Sequence, residues 1–198
     1  MERKKINEIF YSLQGEGAFS GVPAVFVRFS GCNLKCSFCD TKHEEGRDLT
    51  NAEIIQEVAQ FPARHVVLTG GEPSLFIDAE FVDELHAIGK FVAIETNGTR
   101  ELPANIDWIT LSPKSYFFPK QANAEIKISR CDELKVLFLY QSDFEHYLQF
   151  PAKHYFLQPC DMGNTVRNQE LQAALIEYLL AHPRWRLSLQ LHKLLGVR

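Results

Sequence analysis

Three cysteines, Cys32, Cys36 and Cys39, fall within eight consecutive positions in the pattern CxxxCxxC. Thiolates are ligands for iron–sulfur clusters and for zinc. Three thiolates on a [4Fe–4S] cube would leave one iron without a protein ligand, which is the open position that a catalytic metal centre needs. The alternative is a structural zinc site with His43 as the fourth ligand, since Cys-Cys-Cys-His zinc sites are common.

Further polar clusters follow short apolar runs. The sequence TGGEP begins at Thr69, ETNG at Glu95, SPK at Ser112 and QPCD at Gln158. Each alone is typical of a cap or a tight turn. Four such clusters, each at the end of a predicted strand, indicate a shared site instead, because the carboxyl ends of parallel strands are where ligands bind in α/β folds.

The elements that position these clusters alternate between strands and helices. Strands are predicted over 24–29, 65–68, 91–95, 108–111, 134–139 and 155–158, and helices over 51–60, 77–88 and 168–182. Thr50 with Glu53 forms a capping-box signature before the first helix. The stretch 112–133 contains no good helix pattern. We therefore predict an α/β fold in a single domain over residues 1–198: an incomplete parallel β/α barrel of about six strands and about three helices.

Composition limits the possible functions. The 198 residues are 45% hydrophobic with a formal net charge of −4, which is ordinary for a globular protein and offers no basic surface for nucleic acid. No apolar run approaches the roughly 20 residues that cross a bilayer. Five cysteines, three of them clustered, indicate metal binding in a reducing compartment, so we expect a cytoplasmic protein without membrane or nucleic-acid partners.

The combination of motifs is similar to one family. The stretches YSLQGEG (11–17), FVRF (26–29), CxxxCxxC followed by Asp40-Thr41, then GGEP, ETNG, SPK and QLHK (190–193), resemble the 7-carboxy-7-deazaguanine synthase family of radical S-adenosylmethionine (SAM) enzymes. The resemblance implies a lyase-type ring contraction of 6-carboxy-5,6,7,8-tetrahydropterin to 7-carboxy-7-deazaguanine with loss of ammonia, in queuosine and deazapurine biosynthesis. It also implies a [4Fe–4S] cluster, SAM and Mg²⁺ as cofactors, flavodoxin or ferredoxin as reductant, and a homodimer.

The same resemblance implies site residues. Cys32, Cys36 and Cys39 would hold the cluster and Thr41 the Mg²⁺, with no catalytic side chain beyond the cluster and SAM. The implied SAM-binding residues are Phe38, Cys39, Asp40, Gly71, Glu72, Ser112, Pro113, Lys114, Gln158, Pro159, Cys160 and Asp161. The implied substrate-binding residues are Leu13, Gln14, Gly15, Glu16, Arg28, Thr69, His192 and Arg198.

The residue chemistry suits a pterin. Gln14 can donate and accept hydrogen bonds at an amino-oxo-pyrimidine edge, whereas ionised Glu16 can only accept. Arg28 can hold a carboxylate with a two-pronged contact, although a structural ion pair is its alternative. Thr41 can equally be a helix or turn cap.

The chain end is predicted to form a strand over 186–192, because Leu187, Leu189 and Leu191 alternate with polar residues. By the resemblance, His192 and the Arg198 carboxylate would close over the substrate; the alternative is a frayed tail. Two other functions stay open on the sequence alone. One is an activating enzyme that abstracts hydrogen from a protein glycine, and the other is a zinc-stabilised module without catalysis.

Overall fold

The computed structural model describes residues 3–41, 43–118, 121–139 and 144–197. The described residues form one nine-stranded sheet with four α-helices. Its strands are β1 (Lys4–Leu13), β2 (Pro23–Phe29), β3 (Arg47–Leu49), β4 (His65–Gly70), β5 (Phe91–Thr96), β6 (Trp108–Leu111), β7 (Cys131–Phe138), β8 (Ala152–Pro159) and β9 (Arg186–Leu187). The helices are α1 (Asn51–Ala59), α2 (Ala79–Ala87), α3 (Thr165–Ala181) and α4 (Leu191–Leu195).

The strand order is β3-β1-β2-β4-β5-β6-β7-β8-β9. β1 is antiparallel to both β2 and β3, and every other neighbouring pair is parallel. The two edge strands do not pair with each other, so the sheet is an open, partial barrel. This confirms the predicted fold class: the six predicted strands are β2 and β4–β8, and the three predicted helices are α1–α3. Between β6 and β7 the described residues contain only two short 3₁₀ turns.

Two features of the sheet differ from the prediction. β1 and β3 add an antiparallel pair beside β2 that the apolar pattern did not reveal. The predicted strand over 186–192 is wrong beyond Leu187, because the chain leaves the sheet and α4 begins at Leu191. The leucine alternation misled the prediction: Leu187 is 42% exposed whereas Ser188 is buried, so it is the polar face of this segment that points inward.

Apolar side chains pack between the sheet and the helices. Ile54 and Val58 of α1 and Phe81, Val82 and Leu85 of α2 meet the outer face of β2, β4 and β5. Leu171 and Leu175 of α3 pack on β7 and β8. The predicted capping box starts α1, with the Thr50 hydroxyl accepting from the Glu53 backbone N–H and the Glu53 carboxylate accepting from the Thr50 N–H. With the outer face covered in this way, the inner face of the barrel is left for polar chemistry.

The hairpin loop between β1 and β2, residues 14–22, lies at the amino ends of the parallel strands. Phe19 in this loop contacts the first residues of β4, β5 and β6, with ring centroids 4.5 Å from His65, 5.8 Å from Phe91 and 4.7 Å from Trp108. The QGEG motif is therefore at the opposite end of the barrel from the carboxyl-end motifs. TGGEP, ETNG, SPK and QPCD lie at the carboxyl ends as expected, and QGEG does not join them there.

No helix among the described residues combines the length and the apolar character needed to span a membrane.

The outer-face packing predicts the effect of a matched pair of substitutions. Leu85 is fully buried in α2 and Leu180 is 82% exposed in α3. Leu85→Ala should lower the free energy of unfolding by about 2–5 kcal/mol because it leaves a cavity. Leu180→Ala should change it by less than about 0.5 kcal/mol. Urea unfolding followed by circular dichroism measures both, and equal effects of the two substitutions would contradict the packing described here.

Candidate active site

One cavity of about 660 Å³ occupies the inside of the partial barrel. It runs from the cysteine loop after β2, at the carboxyl ends of the strands, to the hairpin loop 14–22 at the amino ends. The predicted site residues that line it are Leu13, Gln14, Gly15, Glu16, Arg28, Cys32, Cys36, Phe38, Cys39, Asp40, Thr41, Thr69, Gly71, Glu72, Ser112, Lys114, Gln158, Pro159, Cys160, Asp161 and His192. The structure thus gathers almost every predicted residue around a single pocket.

Two predicted site residues are not among this lining. Pro113 is buried beside Ser112 and Lys114 but does not reach the pocket surface. It is therefore a backbone support for its neighbours, since its ring restricts the turn that presents them. Arg198 lies outside the described residues.

The three cysteines carry free thiols that face this pocket. Burial raises the pKa of the Cys32 and Cys36 thiols, so cluster binding must release their protons. In the described part of the chain, no three His, Cys, Asp or Glu side chains are already gathered around one metal position. Three thiols on one loop nevertheless fit a [4Fe–4S] cluster with one iron open to SAM, and cluster binding would draw the sulfur atoms together. His43, the fourth ligand of the zinc alternative, does not line the pocket.

A hydrogen-bond network holds the cysteine loop against the end of β5. The Asn33 amide donates to Thr99 Oγ1 at 2.8 Å, and its oxygen accepts from Asn97 Nδ2 at 3.0 Å. Asn123 Nδ2 donates to the Asn33 carbonyl at 3.1 Å. Asn33 stands between Cys32 and Leu34, so these bonds fix the first half of the loop through protein contacts alone.

Glu72 of GGEP ties two strand ends together. Its buried carboxylate accepts hydrogen bonds from Thr96 Oγ1 and the Asn97 N–H, both at 2.7 Å, and from the Ser74 N–H at 3.1 Å. Gly71 allows the close approach on the other side, because a Cβ there would lie 2.0 Å from the Gly31 carbonyl oxygen. The GGEP segment thus packs directly on the residue before Cys32.

Lys114 lines the pocket and acts electrostatically on Cys32 and Cys36. Its ammonium group donates to the Ser112 hydroxyl at 2.5 Å and to the Ser112 carbonyl at 3.0 Å. Burial lowers the pKa of Lys114, and the Cys36 sulfur opposes that effect. Phe38 lies across the same opening, with its ring 4.5 Å from that of Phe117. Ser112 and Lys114 therefore present a hydroxyl and a positive charge, while Phe38 presents an apolar face.

The C-terminal helix is fastened to two predicted SAM-binding residues. Lys193 Nζ donates to Asp40 Oδ2 at 3.1 Å and to Asp161 Oδ2 at 2.9 Å. The bond from Lys193, together with bonds from Gly163 and Asn168, holds the pKa of Asp161 well below its usual range. Residues 188–197 consequently close one side of the pocket next to the cysteine loop.

The hairpin-loop end of the pocket contains a buried charge cluster. Glu16 and Lys135 form an ion pair, and Glu95 Oε1 lies 3.5 Å from the same ammonium group. Gln14 Nε2 donates to Glu95 Oε1 at 3.2 Å, and the Thr69 hydroxyl donates to Glu95 Oε2 at 2.9 Å. Burial alone would raise the pKa of Glu16, but the charge and hydrogen bond of Lys135 outweigh it and lower that pKa to about 2.

β7 also holds the backbone of the hairpin loop. Glu133, which is buried, accepts from the Ala18 N–H at 2.7 Å. Ser188 Oγ accepts from the Gly17 N–H at 3.0 Å and donates to Gln158 Oε1 at 2.7 Å. Gln190 Nε2 donates to Glu16 Oε1 at 3.0 Å. The loop is thus bonded both to β7 and to the segment that follows β9.

Arg28 and Thr41 also line the pocket. Arg28 Nε pairs with Glu8 at 3.0 Å, and its guanidinium lies 5.6 Å from the centre of the Phe10 ring. The structural ion pair considered as an alternative is therefore present, and it orients the guanidinium within the pocket. The Thr41 carbonyl lies 3.6 Å from the Cys39 sulfur.

Some pocket residues were not identified from the sequence as site residues. The ones that carry charge or polar contacts are Asn7, Glu8, Glu95, Thr96, Asn97, Lys135, Gln190 and Lys193. Glu95 and Gln190 stand inside motifs that were noted, but Lys135 lies in a strand predicted only as core. The available signal was Glu133 and Lys135 alternating with Leu134 and Val136, which places two charges on one face of a buried strand.

Comparison with known proteins agrees with this geometry. Residues 26–118 match the family model of the Radical SAM superfamily. The chain is 55% identical over 195 residues to 7-carboxy-7-deazaguanine synthase of Bacteroides thetaiotaomicron, a match that covers 98% of this chain and 99% of that relative. It is 39% identical to the synthase of Nitratidesulfovibrio vulgaris, with 98% of each chain covered.

Solved structures give the same result. The crystal structure of QueE from Escherichia coli superposes with a TM-score of 0.77 at 30% identity, over 96% of this chain and 95% of that one. Streptococcus suis SuiB, at 16% identity and a TM-score of 0.54 over 85% of this chain and 48% of its own, shares the fold alone. The resemblance inferred from the motifs is confirmed, and the zinc-stabilised module is set aside. The chain belongs to the 7-carboxy-7-deazaguanine synthase family of radical SAM enzymes.

Proposed function

We propose that this enzyme converts 6-carboxy-5,6,7,8-tetrahydropterin to 7-carboxy-7-deazaguanine and ammonia, as a step of deazapurine biosynthesis. The observation that carries the proposal is a single pocket with a three-cysteine loop at one end and the QGEG loop at the other. The chain is 55% and 39% identical to two synthases of this name over nearly its full length, which supports the same substrate. A protein-glycine activase finds no comparable support among these relatives.

The cysteine-loop end of the pocket binds the cofactors. Cys32, Cys36 and Cys39 would hold a [4Fe–4S] cluster, which would supply the electron for the reductive cleavage of SAM. Lys114 and Ser112 offer a cation and a hydroxyl for the SAM carboxylate or ribose. The backbone at Gly71 faces the methionyl amine. Phe38 and the segment from Gln158 to Asp161 enclose the adenosine.

The substrate binds toward the hairpin-loop end of the pocket. Ionised Glu16 accepts from the N–H groups of the pterin edge, and Gln14 supplies a mixed donor and acceptor beside it. Arg28 would bind the substrate carboxylate, and the Thr41 hydroxyl would be a ligand for Mg²⁺, since Mg²⁺ prefers oxygen ligands. His192, at the start of α4, covers the substrate from the side. Thr69 contributes by holding Glu95.

The partners follow from the family. We propose that flavodoxin or ferredoxin delivers the electron and that the enzyme acts as a homodimer in the cytoplasm.

The reaction itself is the test of the function. Anaerobically reconstituted protein, incubated with 6-carboxytetrahydropterin, SAM, Mg²⁺ and dithionite, should form the deazaguanine chromophore and release ammonia. Cys36→Ala should abolish both 5′-deoxyadenosine and product, because an incomplete thiolate set cannot hold the cluster in place. Its circular dichroism should stay native, since the core does not depend on metal.

The matched control is Cys131→Ala. Cys131 is buried in β7 outside the pocket, so that variant should keep both its iron content and its product. If the reconstituted wild type cleaves SAM but leaves the pterin unchanged, the proposed substrate is wrong.

Arg28 gives a sharper test of substrate orientation. Losing a two-pronged carboxylate contact should cost on the order of 2–4 kcal/mol of productive binding, or about 30- to 1000-fold in kcat/KM for the pterin. Arg28→Lys should be nearly as damaging as Arg28→Ala, because an ammonium group cannot reproduce the fork. The KM for SAM should change little in either variant.

Arg47→Ala is the control for that prediction. Arg47 makes an exposed two-pronged pair with Glu57 on the outer surface, so its loss should leave both Michaelis constants near those of the wild type. Full activity of Arg28→Lys would show that Arg28 serves only its ion pair with Glu8.

A further inference from the structure

Lys135 is a buried cation in the substrate pocket to which no role has yet been given. β7 directs it toward the inside of the barrel, where its side chain is 8% exposed. It pairs with Glu16 from the hairpin loop and with Glu95 from β5. Glu133, two residues earlier on the same face of β7, also contributes to its electrostatic surroundings. One ammonium group therefore faces three carboxylates.

The other titratable groups around this cluster lie further from the ion pair. His192 of α4 faces Glu16, Lys114 faces Glu16 and Lys135 from the cysteine end, and His65 of β4 faces Glu95. None of them is hydrogen-bonded to Glu16 among the described contacts, whereas Lys135 is. Lys135 is thus the cation on which the charge of Glu16 depends.

We propose that Lys135 is a positioning residue that keeps Glu16 ionised and aimed at the substrate, so that the pocket selects a heterocycle presenting adjacent N–H donors. The inference rests on the proposed function and deepens it. An ionised carboxylate only accepts hydrogen bonds, whereas a protonated one can also donate. The charge state of Glu16 therefore decides whether the pocket distinguishes a 2-amino group from a 2-oxo group.

The electrostatics support this role. The three carboxylates raise the pKa of Lys135 against the effect of burial, so the ammonium group stays charged at any physiological pH. Burial raises the pKa of Glu133, which shows what the same environment would do to Glu16 without its partner. Removing the cation would leave buried carboxylates side by side, and at least one would take up a proton near neutral pH.

Equilibrium binding separates positioning from a merely structural role. The probes are 6-carboxypterin and 6-carboxylumazine, in which a 2-oxo group replaces the 2-amino group. Cluster-loaded enzyme with SAM and Mg²⁺, without reductant, binds them without turnover, and fluorescence gives the Kd between pH 5.5 and 8.5. Ratios of variant to wild type at each pH cancel the titration of the probes themselves.

The expected results have a defined sign. Wild type should prefer the pterin by at least about tenfold, because the lumazine leaves a charged acceptor without its donor. In K135M the Kd for the pterin should rise by about tenfold for each unit of pH below the raised carboxylate pKa and recover toward pH 8.5. In the same variant, the ratio of the Kd for the lumazine to the Kd for the pterin should fall toward one at pH 5.5. K135R keeps the positive charge, so the ratio of its Kd to that of wild type should not change with pH.

Two further variants distinguish a positioning role of Lys135 from a purely structural one. Lys153, 69% exposed and paired with Asp132 on the outside, gives K153M the same chemical change without effect on either probe. The double variant K135M/E95Q removes one of the repelling carboxylates. The pH below which its Kd for the pterin rises should therefore be lower than in K135M. If K135M weakens both probes and SAM equally at every pH, Lys135 is structural and the proposal is overturned.

E16Q keeps the test decisive even if K135M does not fold. The ratio of the Kd of E16Q to that of wild type should stay constant from pH 5.5 to 8.5, because Glu16 stays ionised throughout. A ratio that falls toward one at low pH would show that Glu16 protonates in the wild type, and would overturn the proposal. Failure of the wild type to bind the pterin at any pH would instead refute the proposed function, and the inference with it.

Discussion

One buried ion pair, between Lys135 and Glu16, joins β7 to the hairpin loop inside an open sheet. Lys135 of β7 reaches Glu16 of the hairpin loop across 119 positions of sequence. Glu133 adds a bond to the Ala18 N–H of the same loop. Removing one partner of a buried pair leaves an uncompensated charge and is strongly unfavourable, so the loop and β7 constrain each other. These inward-facing charges act together with the bonds from Ser188, Gln190 and the Leu191 N–H, which fasten the same loop to the segment after β9.

The two ends of the pocket are built for different chemistry. At the carboxyl ends of the strands, Glu72 and Asn33 hold a loop of sulfur ligands through neutral and charge-assisted hydrogen bonds. Toward the amino ends the exposed functional atoms are carboxylate, amide and hydroxyl oxygens. Soft thiolates favour iron–sulfur clusters and hard oxygens favour Mg²⁺, so a pocket of about 660 Å³ offers donor types that suit both. Arg28 and Thr41, which we propose hold the substrate carboxylate, both line this pocket.

The sequence predicted the parts of this design that are local. The cysteine loop, GGEP and the cap of α1 are recognisable because each is a short run of characteristic residue types, and parallel strands bring the first two to one edge by topology. Lys135 was missed because a charged residue in an apolar strand is normally solvated, and its burial depends on a loop more than a hundred residues earlier. The strand over 186–192 was mispredicted for the same reason. Leu187 is exposed because Ser188 is drawn inward by Gln158 and the Gly17 N–H, contacts that no local periodicity can show.

Even a residue of the short QGEG motif is constrained by a contact with a strand that is distant in the sequence. Gly17 adopts a positive φ of 63°, and a Cβ there would lie 2.0 Å from the Glu133 carboxylate. A side chain at this position would therefore strain the backbone and displace the acceptor of the Ala18 N–H at the same time. The glycine after Glu16 is thus required by β7 as much as by the turn. The position of Glu16 in the pocket therefore depends both on the QGEG turn and on Glu133 and Lys135 of β7, which bind that turn.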